Sequence, residues 1–259
     1  MELKPDKDEA WYNQGNALYK SGKLEEAIAS YDRAIEFNPE DDAIWYNRGV
    51  ALSELGRLEK AIANYDKALE FNPENDAAWN NRGIALKDLG KLEEAIANYN
   101  KALELKPNDD EVWYNRGVAL YELGRIEEAI ASYDQALEFN PDDDGAWYNR
   151  GNALYELGKL EEAIASYNRA LELKPDKHGA WYNQGITLYK LGKLEEAIAS
   201  YDQAIKFNPD YDGIWNNRGI ALKDLGRIEE AIASYDQAIK LNPDDNTARY
   251  NKACCYENR

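Results

Sequence analysis

The residues with the chemistry for catalysis are few, and they are badly placed for it. The chain of 259 residues has one histidine, His178, and two cysteines, the adjacent Cys254 and Cys255. A nucleophile–base pair or a zinc site needs several such groups converging from different elements, and these three cannot assemble either. His178 stands where Asp42, Asp76, Asp110, Asp144 and Asp212 stand in equivalent stretches, so it reads as an exposed residue replacing a helix-start acid. Gly22-Lys23 and Gly192-Lys193 have the Gly-Lys pair of a phosphate loop. Leu follows the lysine where Ser or Thr is required, and Gly15 lies too far from Gly22. Asp142-Asp143-Asp144 lacks the alternating spacing and closing Glu of a calcium loop and reads as solvated helix caps. The cysteines replace small residues on a last helix, with no electropositive setting to activate them. The expectation is a protein that is not an enzyme, with no metal site and no cofactor.

What remains is hydrogen bonding and aromatic contact, and both recur at a fixed interval. All seven tryptophans, from Trp11 to Trp215, lie 34 residues apart, and the eight prolines, from Pro5 to Pro243, keep the same period. Fourteen of the seventeen glycines fall in two further registers, one beginning at Gly15 and the other at Gly22. Such self-similarity defines a structural unit. Read as units, the chain divides into 8–41, 42–75, 76–109, 110–143, 144–177, 178–211 and 212–245. A tail of a preceding unit, 1–7, comes before them and a final single helix, 246–259, comes after.

Each unit holds two helical segments and two breaks. In the first, Glu9 to Lys20 carries Trp11, Gly15 and Leu18 on one face. Ser21-Gly22 breaks it, glycine supplying a positive φ. The second segment, Leu24 to Phe37, lines up Leu24, Ala27, Ile28, Tyr31, Ala34 and Ile35. Asn38-Pro39 ends it, because proline cannot donate to the helical ladder.

Charge narrows the partners. Asp and Glu number 49 against 31 Lys and Arg, a formal charge of −18, which repels nucleic acid and anionic membrane. No apolar stretch is long enough to span a bilayer, and MELKPDKDEA has no apolar signal core, so a reducing cytoplasm is expected.

The positions Trp11, Gly15, Ala27, Tyr31, Ala34 and Pro39, recurring through Trp215, Gly219, Ala231, Tyr235, Ala238 and Pro243, resemble the tetratricopeptide repeat, bacterial-type tandem arrays above all. The resemblance covers essentially the whole chain and implies an all-α fold, an α-solenoid wound as a right-handed superhelix of helix-turn-helix repeats. One departure recurs. Where the family usually has an aliphatic residue before the glycine, this chain has Gln14, Arg48, Arg82, Arg116, Arg150, Gln184, Arg218 and Lys252. A long polar side chain there must snorkel or pair with a carboxylate at the core edge.

In tetratricopeptide superhelices the side of the first helix opposite the tryptophan lines a concave groove, so the resemblance implies a binding surface there. At 100° per residue, Glu9, Tyr12, Asn16 and Tyr19 fall on that side with Asn13 and Lys20 along one edge. Asn13, Asn47, Asn81, Asn115, Asn149, Asn183 and Asn217 recur without exception. Tyr12, Tyr46, Tyr114, Tyr148 and Tyr182 lie beside them, and Asn152 repeats Asn16. A ladder of side-chain amides suits the N–H and C=O of an extended peptide, and it equally suits bonding between neighbouring helices. The chaperone-binding members clamp a C-terminal carboxylate with basic groove residues, which this chain lacks at the positions matching Tyr12 and Glu9.

The leading expectation is a protein–protein interaction scaffold that binds an extended peptide or a partner helix in the concave groove. The alternative is an architectural spacer or regulatory arm excised from a larger multidomain protein. Open repeat ends would allow weak head-to-tail self-association.

Overall fold

The computed structural model describes residues 7–244 and 246–257. The expected tail of a preceding unit lies outside the described residues except for Lys7, which opens the first helix. Among the described residues the structure is α-helical throughout. The chain divides into two compact units, one ending at Phe139 and one beginning at Asn140.

The first unit runs α1 (Lys7–Lys20), α2 (Leu24–Phe37), α3 (Asp42–Glu54), α4 (Leu58–Phe71), α5 (Asp76–Asp88), α6 (Leu92–Leu105), α7 (Asp110–Glu122) and α8 (Ile126–Phe139). The second runs α9 (Asp144–Glu156), α10 (Leu160–Leu173), α11 (His178–Lys190), α12 (Leu194–Phe207), α13 (Asp212–Asp224), α14 (Ile228–Leu241) and α15 (Asn246–Glu257). Within each unit a helix packs on the helices before and after it in sequence, and odd-numbered helices also touch one another.

The hairpin turns follow from their glycines. Gly22 has φ 76°, and the equivalent glycines as far as Gly226 share that left-handed region. Lys23 N–H reaches back to Leu18 C=O at 3.0 Å and Gly22 N–H to Tyr19 C=O at 2.9 Å, which satisfies carbonyls that α1 leaves open. The second helix of a hairpin starts without a side-chain cap, as at Lys23, whereas the first helix of the following hairpin starts on one where the residue allows it. Asp41 accepts from Ala43 N–H at 2.9 Å and Asn75 from Ala78 N–H at 2.9 Å, whereas Lys177 and Tyr211 in the same register cap nothing.

The core is built from small residues around one tyrosine per hairpin. Ala27, Tyr31 and Ala34 are buried, as are Ala231, Tyr235 and Ala238 at the other end of the array. Each tryptophan is half-buried, and from Trp45 to Trp215 its indole N–H donates to the proline carbonyl six residues earlier, Trp45 to Pro39 at 2.8 Å and Trp215 to Pro209 at 2.9 Å. The proline therefore both ends one helix and anchors the next. Arg249, in the tryptophan register of α15, makes the same bond to the Pro243 carbonyl.

Candidate functional site

The Asn and Tyr columns meet across consecutive repeats. Asn47 Nδ2 donates to the Tyr12 hydroxyl at 2.8 Å, Asn81 to Tyr46 at 3.0 Å, Asn183 to Tyr148 at 3.0 Å and Asn217 to Tyr182 at 3.0 Å. Where the tyrosine is replaced, an acceptor remains: Asn115 Nδ2 lies 3.4 Å from Asn80 Oδ1, and Asn251 Nδ2 lies 3.1 Å from Asn216 Oδ1. Asn13 is exposed on α1, and Asn149 is half-buried on α9.

The tyrosines expected along the groove are half-buried. Tyr12, Tyr46, Tyr114, Tyr148 and Tyr182 each tilt against the core tyrosine of their own hairpin, with ring centroids 6.2 Å apart for Tyr12 and Tyr31 and 6.1 Å for Tyr114 and Tyr133. Burial raises the Tyr46 and Tyr182 phenols above their ordinary range, and Tyr211, edge-on to Tyr182 at 5.4 Å, adds to the rise. Asn16 and Asn152 accept from the buried Tyr31 and Tyr167 hydroxyls at 2.7 and 2.9 Å. The same register elsewhere holds aliphatic residues, and beside two of them, Ile84 and Ile220, the Tyr99 and Tyr235 hydroxyls are buried without a hydrogen-bond partner among the described residues.

The polar residue before each core glycine forms the second cross-repeat contact. Arg82 Nε binds Asp66 of the preceding repeat at 2.7 Å, and its Nη1 binds Asn98 of its own hairpin at 3.0 Å. Arg218 joins Asp202 and Ser234 likewise, at 2.6 and 2.7 Å. The expected pairing with carboxylates at the core edge is present in these joints. Two joints carry no carboxylate. Arg116 bonds Asn100 at 2.7 Å, with burial holding its guanidinium below the ordinary range, and Gln184 bonds Asn168 at 2.6 Å.

A third set of residues lies three positions beyond Asn16 and its equivalents, on the groove side where the sequence placed Tyr19, and sequence reasoning missed its partners. The Tyr19 hydroxyl donates to Glu54, and the Tyr189 hydroxyl donates to Asp224 at 2.5 Å. These hydrogen bonds push both phenols up to about 12. Lys190 Nζ stands 4.0 Å from the Tyr155 ring centre, and Lys177 Nζ stands 4.8 Å from that of Tyr148 while pairing with Asp144 at 2.7 Å. The signal lay in the sequence as a register of Tyr19, Tyr121, Tyr155 and Tyr189, with Lys87 and Lys223 among them, at 34-residue intervals. Their partners, 35 residues on, emerge only when the hairpins are stacked.

A stack of α-hairpins presenting recurrent amides and phenols has the build of a repeat scaffold for protein–protein interaction. Sequence profiles described as tetratricopeptide repeat match residues 114–178 and 148–212, 43–75 and 214–245, and 64–97, and one described as TPR repeat matches 15–56 and 85–124. The chain belongs to the tetratricopeptide repeat family, whose arrays are in general scaffolds and not enzymes. No curated protein matches its sequence. Among solved structures it is similar to YrrB, described as a TPR protein with an unusual peptide-binding site. The two are 27% identical at a TM-score of 0.66, over 73% of this chain and 97% of YrrB. The C-terminal part of a TPR repeat-containing protein from Cytophaga hutchinsonii is 18% identical with a TM-score of 0.79, covering 93% of this chain and 98% of that one. A tetratricopeptide repeat protein from Parabacteroides merdae is 20% identical with a TM-score of 0.68, covering 96% and 99%. These last two share the fold. Among the described residues no helix is long and apolar enough to cross a membrane.

Proposed function

We propose that the chain binds an extended peptide along the asparagine column within a compact unit, each amide contributing one hydrogen bond to the peptide backbone. One observation carries this reading. In Asn47, Asn81 and Asn183 the Nδ2 group is tied to the preceding tyrosine, while Oδ1 accepts no hydrogen bond among the described residues. The tyrosine fixes the plane of each amide, so its carbonyl is an oriented acceptor for a peptide N–H. The description of YrrB as peptide-binding supports the same class of partner. A net charge of −18 favours a protein segment over nucleic acid or anionic lipid.

The test compares two double variants in the unit that ends at Phe139 against a peptide selected from a random linear library. Replacing Asn47 and Asn81 by Ala removes two acceptors, each worth about 0.5–1.5 kcal/mol, so affinity falls about fivefold to a hundredfold. Replacing Tyr12 and Tyr46 by Phe keeps both acceptors but frees their amide planes, so it lowers the melting temperature and weakens binding less than the asparagine variant does. An asparagine double variant that melts lower yet binds normally would show the columns to be structural struts alone.

A further inference from the structure

In the unit that begins at Asn140, the face carrying Asn217 also holds a small cavity between α11 and α13. Ile186 and Ile220 form its walls, the buried Tyr201 its floor, and Tyr189 and Asn217 its rim, around a volume of about 90 Å³. That is room for about three waters at roughly 30 Å³ each, which would find few polar partners there. It is small for an aromatic ring, since a cavity that accepts benzene is on the order of 150 Å³. A branched aliphatic side chain fits both its size and its lining. In sequence, Ile186 and Tyr189 are the one place where an isoleucine in the Asn16 register is followed three residues later by tyrosine.

The rim has a charge preference that the neighbouring repeat explains. Tyr155 and Lys190 precede Tyr189 and Asp224 by 34 residues. In the earlier pair the chain's own ammonium stands 4.0 Å from the ring centre. In the later pair the lysine is replaced by a carboxylate that accepts from the tyrosine hydroxyl at 2.5 Å. A tyrosine whose face is not taken by a lysine of its own chain, next to a carboxylate, is a place for a cation brought by a partner.

We infer that this subsite takes a peptide segment in which a branched aliphatic residue adjoins a lysine or arginine. The aliphatic side chain enters between Ile186 and Ile220, and the cation lies over the face of the Tyr189 ring, beside the Asp224 carboxylate that accepts from its hydroxyl. The net charge of −18 draws such a basic segment toward the surface. This inference deepens the peptide-binding reading and rests on it, but its determinants are side-chain determinants, separable from backbone capture.

The experiment uses the intact chain with labelled isoleucine methyls and short synthetic Gly/Ser peptides centred on Lys-Leu-Lys, Lys-Ser-Lys or Glu-Leu-Glu. A fourth probe is Lys-Leu-Lys with its backbone amides N-methylated. The Lys-Leu-Lys peptide should shift the Ile186 and Ile220 methyls saturably, and exchanging its leucine for serine should weaken binding about tenfold to a hundredfold. Ile220→Phe, which fills the cavity, should erase that leucine preference. Asp224→Asn, which leaves the cavity intact, should weaken Lys-Leu-Lys while leaving Glu-Leu-Glu unchanged or stronger. Equal affinity for the leucine and serine peptides, or no methyl shift with any probe, would overturn the inference. If the N-methylated peptide binds as tightly as its parent while the leucine preference persists, backbone capture fails and the subsite stands. If N-methylation abolishes binding and no leucine preference is seen, backbone capture stands and the subsite fails.

Discussion

The Tyr99 ring lies across the backbone of Gly83 so closely that a Cβ on the glycine would stand 2.7 Å from the tyrosine Cε1. The same approach recurs from Gly15 with Tyr31 to Gly219 with Tyr235, which explains why one glycine register runs through the middle of every first helix. Glycine there sacrifices about 0.5–1 kcal/mol of helix propensity relative to alanine. Gly83→Ala recovers that amount but forces the buried ring to move, and overpacking of this kind costs about 1–3 kcal/mol. The expected net effect is a loss of about 1–2 kcal/mol, read from denaturant unfolding. Gly90, at φ 74° with open space around it, should lose a similar amount on conversion to alanine, from backbone strain alone. A stabilised Gly83→Ala protein would show that the ring yields freely.

Tyr167 and Tyr99 fill equivalent core positions with opposite hydrogen-bond fortunes. The Tyr167 hydroxyl donates to Asn152 Oδ1 at 2.9 Å, whereas the Tyr99 hydroxyl is buried with no partner. Removing one partner of a buried hydrogen bond costs about 1 kcal/mol, and removing an unsatisfied buried group costs nothing or gains. Tyr167→Phe should therefore lower stability by about 1 kcal/mol, and Tyr99→Phe should leave it unchanged or raise it. Paired denaturation curves decide, and equal losses in both would remove the distinction.

Alkaline pH should unfold this protein steeply. Burial holds the Tyr31, Tyr65, Tyr99, Tyr133, Tyr201 and Tyr235 phenols well above their ordinary value of 10.0. Tyr19 and Tyr189 reach about 12, chiefly through Glu54 and Asp224. A phenol whose folded value is raised binds its proton more tightly when folded. Below pH 10 both states are protonated and stability does not depend on these groups. Above it the unfolded chain ionises first, so stability falls as pH climbs from 10.0 through the raised values. Helical circular dichroism and tyrosinate absorbance should change together. Ionisation near pH 10 with the helix signal intact would contradict the burial argument.

The helical hairpins were legible because their signals are residue types at fixed spacing. The second helix was expected over Leu24 to Phe37 and runs over those residues, while the first begins at Lys7, before the expected Glu9. The cross-repeat bonds were less legible. The columns of Asn13 and Tyr12 equivalents stood out, but the offset that joins Asn47 to Tyr12 is a property of stacking. The substitution pattern held the clue, since Asn80 and Asn216 replace tyrosine with another acceptor. The tryptophan anchor was hidden for a different reason: its acceptor is the Pro39 backbone carbonyl, which no residue type announces. The cavity beside Ile186 depends on side-chain volumes across two hairpins, which periodicity cannot supply.

The joints between repeats offer the sharpest test of how the array is held together. Asp66–Arg82 and Asp202–Arg218 are ion pairs, whereas Asn168–Gln184 is a neutral pair in the same register. In that joint both members differ, whereas Arg116 keeps its guanidinium against the neutral Asn100, with Ser132 as a second acceptor. Gln184→Arg alone sets a half-exposed guanidinium against Asn168 and Ser200 with no carboxylate, and Asn168→Asp alone sets a carboxylate beside a side-chain amide. Each single change should be neutral or destabilising. Together they recreate the Arg218 joint, in which Nη1 also reaches the serine of the following helix, the role Ser200 would take. Solvent screens these half-exposed pairs, so the coupling free energy of the double-mutant cycle should be about 1 kcal/mol in favour of the pair. High salt should reduce it. A coupling near zero would mean that the joints are held by tyrosine and alanine packing alone, with the charges serving only solubility.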